Sequence, residues 1–290
     1  MNRRDIESGY RAIQASLAAA LEGIDGSTVF RRDAWRRPDG GGGESCTLGG
    51  DGPIERAAVN FSAVWGPAPP TLAERIDVEG EFYATGISTI VHPRDPHAPT
   101  FHANLRYFET NDRQWFGGGA DLTPYYLFDD DARHFHRVLR QVAEKHPVAD
   151  YPAWKAECDR YFYLPHRQEA RGVGGLFFDH LTQNVEEVWA FQIDLGAALS
   201  EAYCPILEHR IGTPHTEREI RWHELRRGRY VEFNLVWDRG TRFGLDTGGR
   251  TESILASLPP RARWDESFRP EPGSPEAELL ELVRGEPRAW

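Results

Sequence analysis

The stretch His102–Tyr126, HANLRYFETNDRQWFGGGADLTPYY, constrains the fold of this chain more than any other. With the two-residue period of a strand, His102, Asn104 and Arg106 share one face while Ala103, Leu105 and Tyr107 share the other. An apolar row of this kind packs on a core, which leaves imidazole, amide and guanidinium groups lining a wet surface. Those groups suit an anionic, hydrogen-bonding ligand. Three glycines, Gly117 to Gly119, then permit close approach of a ligand or a neighbouring chain. Asp121 follows, just before a Thr123-Pro124 turn. Its spacing suits a capping or Asx-turn aspartate and a functional carboxylate equally.

The 290 residues, 40% of them hydrophobic and 27% charged, are enough to bury a sizeable core. No apolar run of about 18 residues exists to span a bilayer, and the N-terminus MNRRDIESGYRAIQ lacks the apolar centre of a secretory signal. The expected location is therefore cytoplasmic. A net charge of −11 argues against nucleic acid as a partner. Lys145 and Lys155 are the only lysines, which leaves few candidates for a Schiff base or a phosphate-loop lysine. Cys46, Cys158 and Cys204 form no C-x-x-C pair, so a zinc finger or cysteine-bound iron–sulfur cluster is disfavoured. Scattered thiols suit a reducing compartment.

Apolar residues at Ile6, Tyr10, Ile13, Leu17, Leu21 and Ile24 predict an amphipathic helix over residues 3–24. The run Asp39–Ser45 contains four glycines and reads as a flexible surface loop, since it lacks the G-K-[ST] ending of a phosphate loop. Strands are expected at Ala57–Ser62, Phe82–His92 and Phe101–Phe108, with a turn-rich connection from Pro93 to Pro99 between the last two. Acids at 129–131 open a helix that ends near Lys145, and a second long helix runs from about Thr182 to Glu208. The run Arg229–Trp237, RYVEFNLVW, alternates and predicts another strand. A helical TESILASL follows Arg250, and Ser274-Pro275 opens a last short helix. Strands clustered between turns favour an α+β fold, an antiparallel sheet with covering helices, as a single domain over residues 1–290.

Arginine forks bind carboxylates with two charge-assisted hydrogen bonds, which singles out Arg106 on the polar face and Arg250 at a helix start. The amides of Gly248 and Gly249 precede that helix and could face an anion. Among the histidines, His92, His136 and His166 lack the spacing of any metal motif. His134 and His136 flank the edges of an apolar stripe, an ordinary place for solvated rings. His102 stands apart because it shares its face with Asn104 and Arg106, where an imidazole can carry protons.

Long blocks of the chain resemble one family, the oxygen-dependent coproporphyrinogen III oxidases. They are VNFS at 59–62, GIS at 86–88, HANLRYFE at 102–109, WFGGGADLTPYY at 115–126, YFYLPHRQEARGVGGLFFD at 161–179, GRYVEFNLVWDRGT at 228–241 and GGRTESILASLPP at 248–260. The extreme N-terminus, a short turn at 109–114 and Pro165 before His166 depart from the pattern. The resemblance implies a homodimer built on a large, flat antiparallel sheet covered on both faces by helices. It implies conversion of two propionates of coproporphyrinogen III to vinyls, with molecular oxygen as co-substrate and protoporphyrinogen IX as product. Carried over by position, Ser88, Asn104, Leu105, Arg106, Gly248, Gly249 and Arg250 would contact substrate. His102 would donate protons and Asp121 would engage the pyrrole nitrogens. His92, His102, His136 and His166 would be divalent-metal ligands, for manganese or a similar ion, although the spacing leaves a metal requirement open. No organic cofactor is implied, and part of 230–265 would lie in the dimer interface. A tetrapyrrole carrier without catalysis, or a metal-dependent decarboxylase or oxygenase of another acid, are the alternatives.

Overall fold

A computed structural model describes residues 2–68, 80–246 and 249–290. These residues form a single α+β domain around a seven-stranded antiparallel sheet. Helix α1 (Arg3–Asp25) leads into β1 (Arg31–Arg36), β2 (Gly41–Gly49), β3 (Ile54–Pro67), β4 (Glu81–Pro93), β5 (Thr100–Thr110) and β6 (Gln114–Thr123). These six strands form a meander in which each pairs with the next. Helices α2 (Asp129–Ala143) and α3 (Tyr151–Tyr161) then precede a small hairpin, β7 (Tyr163–Leu164) and β8 (Glu169–Ala170). Strand β9 (Gly174–Leu181) returns to pair with β6 and completes the order β1-β2-β3-β4-β5-β6-β9. The remainder is helical: α4 (Val185–Arg210), α5 (Glu217–Glu232), a π turn (Phe233–Trp237), α6 (Arg239–Asp246), α7 (Thr251–Ile254), a 3₁₀ turn (Leu255–Ser257) and α8 (Pro275–Arg284).

The sheet's apolar face carries Val59, Phe61, Ile87, Ala103, Leu105, Tyr107 and Phe116, all buried. They share one core with Ile6, Tyr10, Ile13 and Leu17 of α1 and with Phe191, Leu195 and Leu199 of α4. The two helices approach closely at Gly9 and Gly196. A Cβ at Gly9 would meet the Trp189 ring at 2.6 Å, and one at Gly196 would overlap Ile13. Polar anchors also stitch this face. Tyr10 donates to Gln192 (2.5 Å), and Gln192 donates to the Gly117 carbonyl (3.0 Å). The opposite face is only partly covered, by Tyr230 and Ala256 packed on Ala58 and Ile90, and by Phe162 and Phe233 packed on Phe177.

Two expectations change. The glycines at 41–43 lie in β2, not in a flexible loop. The Trp35 ring of β1 covers Gly43, where a Cβ would approach it at 2.6 Å. Glycine here makes room for a cross-strand aromatic. Residues 229–237 are helical, not a strand. Trp222, Leu225, Arg226, Tyr230 and Phe233 are buried at spacings of three and four, so helical burial overrides the alternation. A full capping box, Thr216 with Glu219, starts that helix.

Three histidines are almost wholly buried in these layers, His92, His136 and His223, at 3% exposure or less. Burial pushes His136 down to about 3 and holds the other two well below the usual value. In the unfolded chain each takes a proton near about 6.5, so below that pH the unfolded state binds more protons than the folded state. Stability is therefore fully present above about pH 6.5 and falls as the pH drops towards the folded values. Urea midpoints should fall between about pH 7 and about pH 5. Each buried histidine should cost about 2 kcal/mol at the lower pH, from about 1.5 pH units at about 1.4 kcal/mol each. His136→Gln should flatten that dependence. A midpoint independent of pH over this range would contradict the argument.

Candidate active site

The partly covered face is built in cross-strand rows. Asn60, Ser88, Asn104, Gly119 and Phe177 form one row, and Ser62, Gly86, Arg106 and Gly117 form the next. A third row is Ala58, Ile90, His102, Asp121 and Gly175. The face thus gathers Ser88, Asn104, Arg106, His102 and Asp121 as the strand period predicts. Leu105 points away into the core, so only its backbone could meet a ligand at this face.

Arg106 reaches across β6 to Asp179 of β9 (2.8 Å) and donates to the Asn104 side chain (2.9 Å). Gly117 makes that reach possible. A Cβ there would lie 2.5 Å from the Asp179 carboxylate and 2.9 Å from the Arg106 guanidinium. Asn104 in turn donates to the Ile87 carbonyl (3.0 Å). Arg106 nevertheless keeps 36% of its side-chain surface in solvent, and Ser88 is exposed. Arg106 and Arg239 both lie over the Phe177 ring, at 5.9 and 6.0 Å. Arg239 is exposed, and among the described residues no carboxylate pairs with it. Sequence patterns gave no reason to select it.

Asp121 is not a capping residue. It sits inside β6, 2% exposed, and both of its oxygens accept from Arg171 (2.7 and 2.8 Å). His102 donates from Nδ1 to the same carboxylate (2.8 Å). Arg171 is itself buried, stacked on Phe162 (3.9 Å), Tyr230 (4.7 Å) and Phe233 (4.8 Å), and donates to Asn234 (3.0 Å). Burial alone would raise the Asp121 carboxyl. The Arg171 charge, followed by the hydrogen bond and charge of His102, outweighs burial and holds it below the usual carboxylate range. The result is a permanent carboxylate, sealed from solvent and a poor base. It fixes the His102 ring instead, leaving Nε2 without a hydrogen-bond partner among the described residues. His102 keeps 22% of its side chain accessible. Any ligand on the open face would therefore reach this array through His102 and not through Asp121.

Arg250 is not beside Arg106. It pairs with Asp33 of β1 and lies 3.6 Å from Glu252. Four strand spacings of about 4.8 Å put β1 and β5 roughly 19 Å apart across the sheet. The Gly249 amide is used by the Gly244 carbonyl (2.8 Å), so it does not point at an anion. Gly248 lies outside the described residues.

The four proposed metal histidines do not converge. The one trio of metal-type ligand atoms within 4.8 Å of one another, among the described residues, contains none of them. His92 bonds Thr100 (3.0 Å) and the Ser257 carbonyl (2.9 Å). His136 bonds Tyr151 (2.6 Å) and the Val173 carbonyl (3.0 Å), and is buried where a solvated ring was expected. His166 bonds Glu232 (2.7 Å) and accepts from Trp237 (2.9 Å). Each of these three rings is held at both nitrogens in a different part of the fold, and among the described residues no three of the four come together, so the set does not fit a shared ion.

Removing one partner of a buried ion pair strands the other charge, at about 3–5 kcal/mol. Asp121→Leu and Arg171→Met should each lower unfolding stability by that amount, whereas the double variant should lose clearly less than their sum. Denaturant titration of the four proteins measures this. Additive losses would show that the two residues do not act as a pair.

A sequence model of the family described as coproporphyrinogen III oxidase matches residues 5–290.

Proposed function

The chain belongs to the coproporphyrinogen III oxidase family, and from that premise we propose that it oxidatively decarboxylates two propionates of coproporphyrinogen III, giving protoporphyrinogen IX for haem and porphyrin synthesis with molecular oxygen as electron acceptor. For each side chain, –CH2–CH2–COOH plus O2 becomes –CH=CH2 plus CO2 and H2O2. The C–C bond to the carboxylate breaks and its electron pair becomes part of the new C=C bond. The hydrogen and two electrons lost from carbon, with the carboxyl proton, reduce oxygen to H2O2. The electron-rich reduced pyrroles supply the driving chemistry, so no organic cofactor is invoked.

The observation that carries this reading is the His102–Asp121–Arg171 array beneath an accessible face of Ser88, Asn104 and Arg106. His102 Nε2 is the proton-carrying atom, and Asp121 is a positioning residue that sets the ring's tautomer. Arg106 and Arg239, flanking Phe177, are suited to propionates, with the Phe177 ring available to a pyrrole face. Arg250, at the far side of the same face, would take a propionate by exchanging its bond to Asp33. No step is assigned to a metal. We place the enzyme in the cytoplasm as a homodimer. Its interface would include Leu235, Val236, Trp237 and Trp264, apolar side chains that are 40–55% exposed and fall within 230–265.

Oxygen-dependent CO2 release from coproporphyrinogen III tests the reaction. Binding without CO2 would favour the carrier, and turnover abolished by chelation would favour a metal-dependent enzyme. His102→Ala should lower kcat about 10²- to 10⁴-fold. Arg106→Ala should act mainly on KM. An unchanged kcat in His102→Ala would remove the proposed proton carrier. For the dimer, Leu235→Glu should shift sedimentation towards monomer.

A further inference from the structure

We propose that Asp95, His97 and His215 form a binding site for a divalent transition-metal ion of the zinc type, separate from the proposed active site. The three offer two imidazoles and a carboxylate whose ligand atoms lie within 4.8 Å of one another. Asp95 and His97 belong to the buried connection between β4 and β5, and His215 immediately precedes the Thr216 cap of α5.

Two observations suit a metal ion here in place of the proton that His97 shares with Asp95. Asp95 is 6% exposed, yet its Oδ2 accepts no hydrogen bond. A buried carboxylate oxygen without a partner is costly. His215 stands 3.7 Å from it, beyond hydrogen-bond range, and among the described residues no lysine or arginine pairs with Asp95. The second observation is the outer shell. His97 faces Asp95 through Nδ1 (3.1 Å) and Glu219 through Nε2 (3.1 Å). A metal-bound histidine characteristically donates its other ring N–H to a carboxylate. Glu219 is held for that task, since its other oxygen accepts from the Thr216 amide (2.6 Å) and hydroxyl (2.8 Å). His215 presents Nδ1 both to the Thr213 carbonyl (2.9 Å) and to Asp95 Oδ2 (3.7 Å), so taking up an ion requires its exposed ring to turn.

Two nitrogens and one oxygen suit a zinc-type ion with an open fourth position, and not Mg²⁺ or Ca²⁺, which prefer oxygen shells. Tetrahedral coordination needs ligand atoms about 3.3 Å apart. The exposed His215 side chain can supply that contraction by rotation. The ion would fasten the β4–β5 connection to the start of α5, the helix whose far end carries Tyr230 against Arg171.

The test uses full-length protein treated with chelator and dialysed, titrated with Zn²⁺ or Mg²⁺ by calorimetry, with melting followed in parallel. Wild type should bind one equivalent of Zn²⁺ and no Mg²⁺. Its Tm should rise by roughly 5 °C at about a hundredfold excess over Kd. His215→Ala should keep the metal-free Tm and bind Zn²⁺ at least about tenfold more weakly. Asp95→Asn, close in shape, should lose affinity likewise and serves if the first variant misfolds. Zinc binding unchanged in both variants, or absent from wild type, would overturn the site.

Discussion

The buried pairing of Asp121 with Arg171 is the constraint on which the rest of the site depends. Both side chains are 2% exposed, so each has given up nearly all of its hydration. Two desolvated charges are tolerable only when each satisfies the other. The arginine's remaining surface is enclosed by three aromatic rings and an asparagine. Those groups come from the end of α3, from α5 and from the π turn, while the aspartate comes from β6, beside the edge strand β9. One electrostatic requirement therefore fixes how the helical cover sits on the strands. Such a pair adds little net stability compared with well-packed apolar residues, but it tolerates few alternative arrangements.

Depth separates the two arginine–aspartate pairs on this face. Arg106 and Asp179 are a third and a fifth exposed, and such a pair contributes on the order of 1 kcal/mol or less. It can open for a carboxylate at little cost. Asp121 cannot exchange partners so cheaply, because release would leave Arg171 charged and dry. The accessible pair is thus suited to recognition and the buried pair to orientation. In the proposed reaction this division gives proton transfer to the Nε2 atom of His102 and not to Asp121.

Much of this was legible in the sequence where a single period governs burial. The polar face of His102, Asn104 and Arg106 followed from alternation because β5 is buried on one side and open on the other. The helix over residues 3–24 followed from its apolar stripe, and α1 spans Arg3–Asp25. Arg171 gave no local signal, since it lies in the connection between β8 and β9 and its role depends on contacts 50 to 69 residues away in sequence. The glycines of β2 read as a loop because the ring that occupies their space belongs to another strand. The four histidines grouped as ligands lie apart for a similar reason. His92 and His136 each found both hydrogen bonds inside the core, which spacing along the chain does not reveal.

The segment Phe233–Trp237 shows how an irregularity can build the site. Its alternation suggests a strand, but the Asp238 amide bonds the Phe233 carbonyl five residues back (2.9 Å), the mark of a π turn. π turns within α-helices are frequent at functional positions. Tyr230, Phe233 and Asn234, at i, i+3 and i+4, all reach Arg171 from one side of the chain. The widened turn then delivers Asp238 to the Tyr161 hydroxyl (2.7 Å). Arg239 follows over the same tyrosine ring (4.7 Å). Leu235, Val236 and Trp237 are left facing outward. One extra residue in a helical turn thus closes the cage around the buried arginine, places a second arginine over Phe177, and turns an apolar strip away from the core.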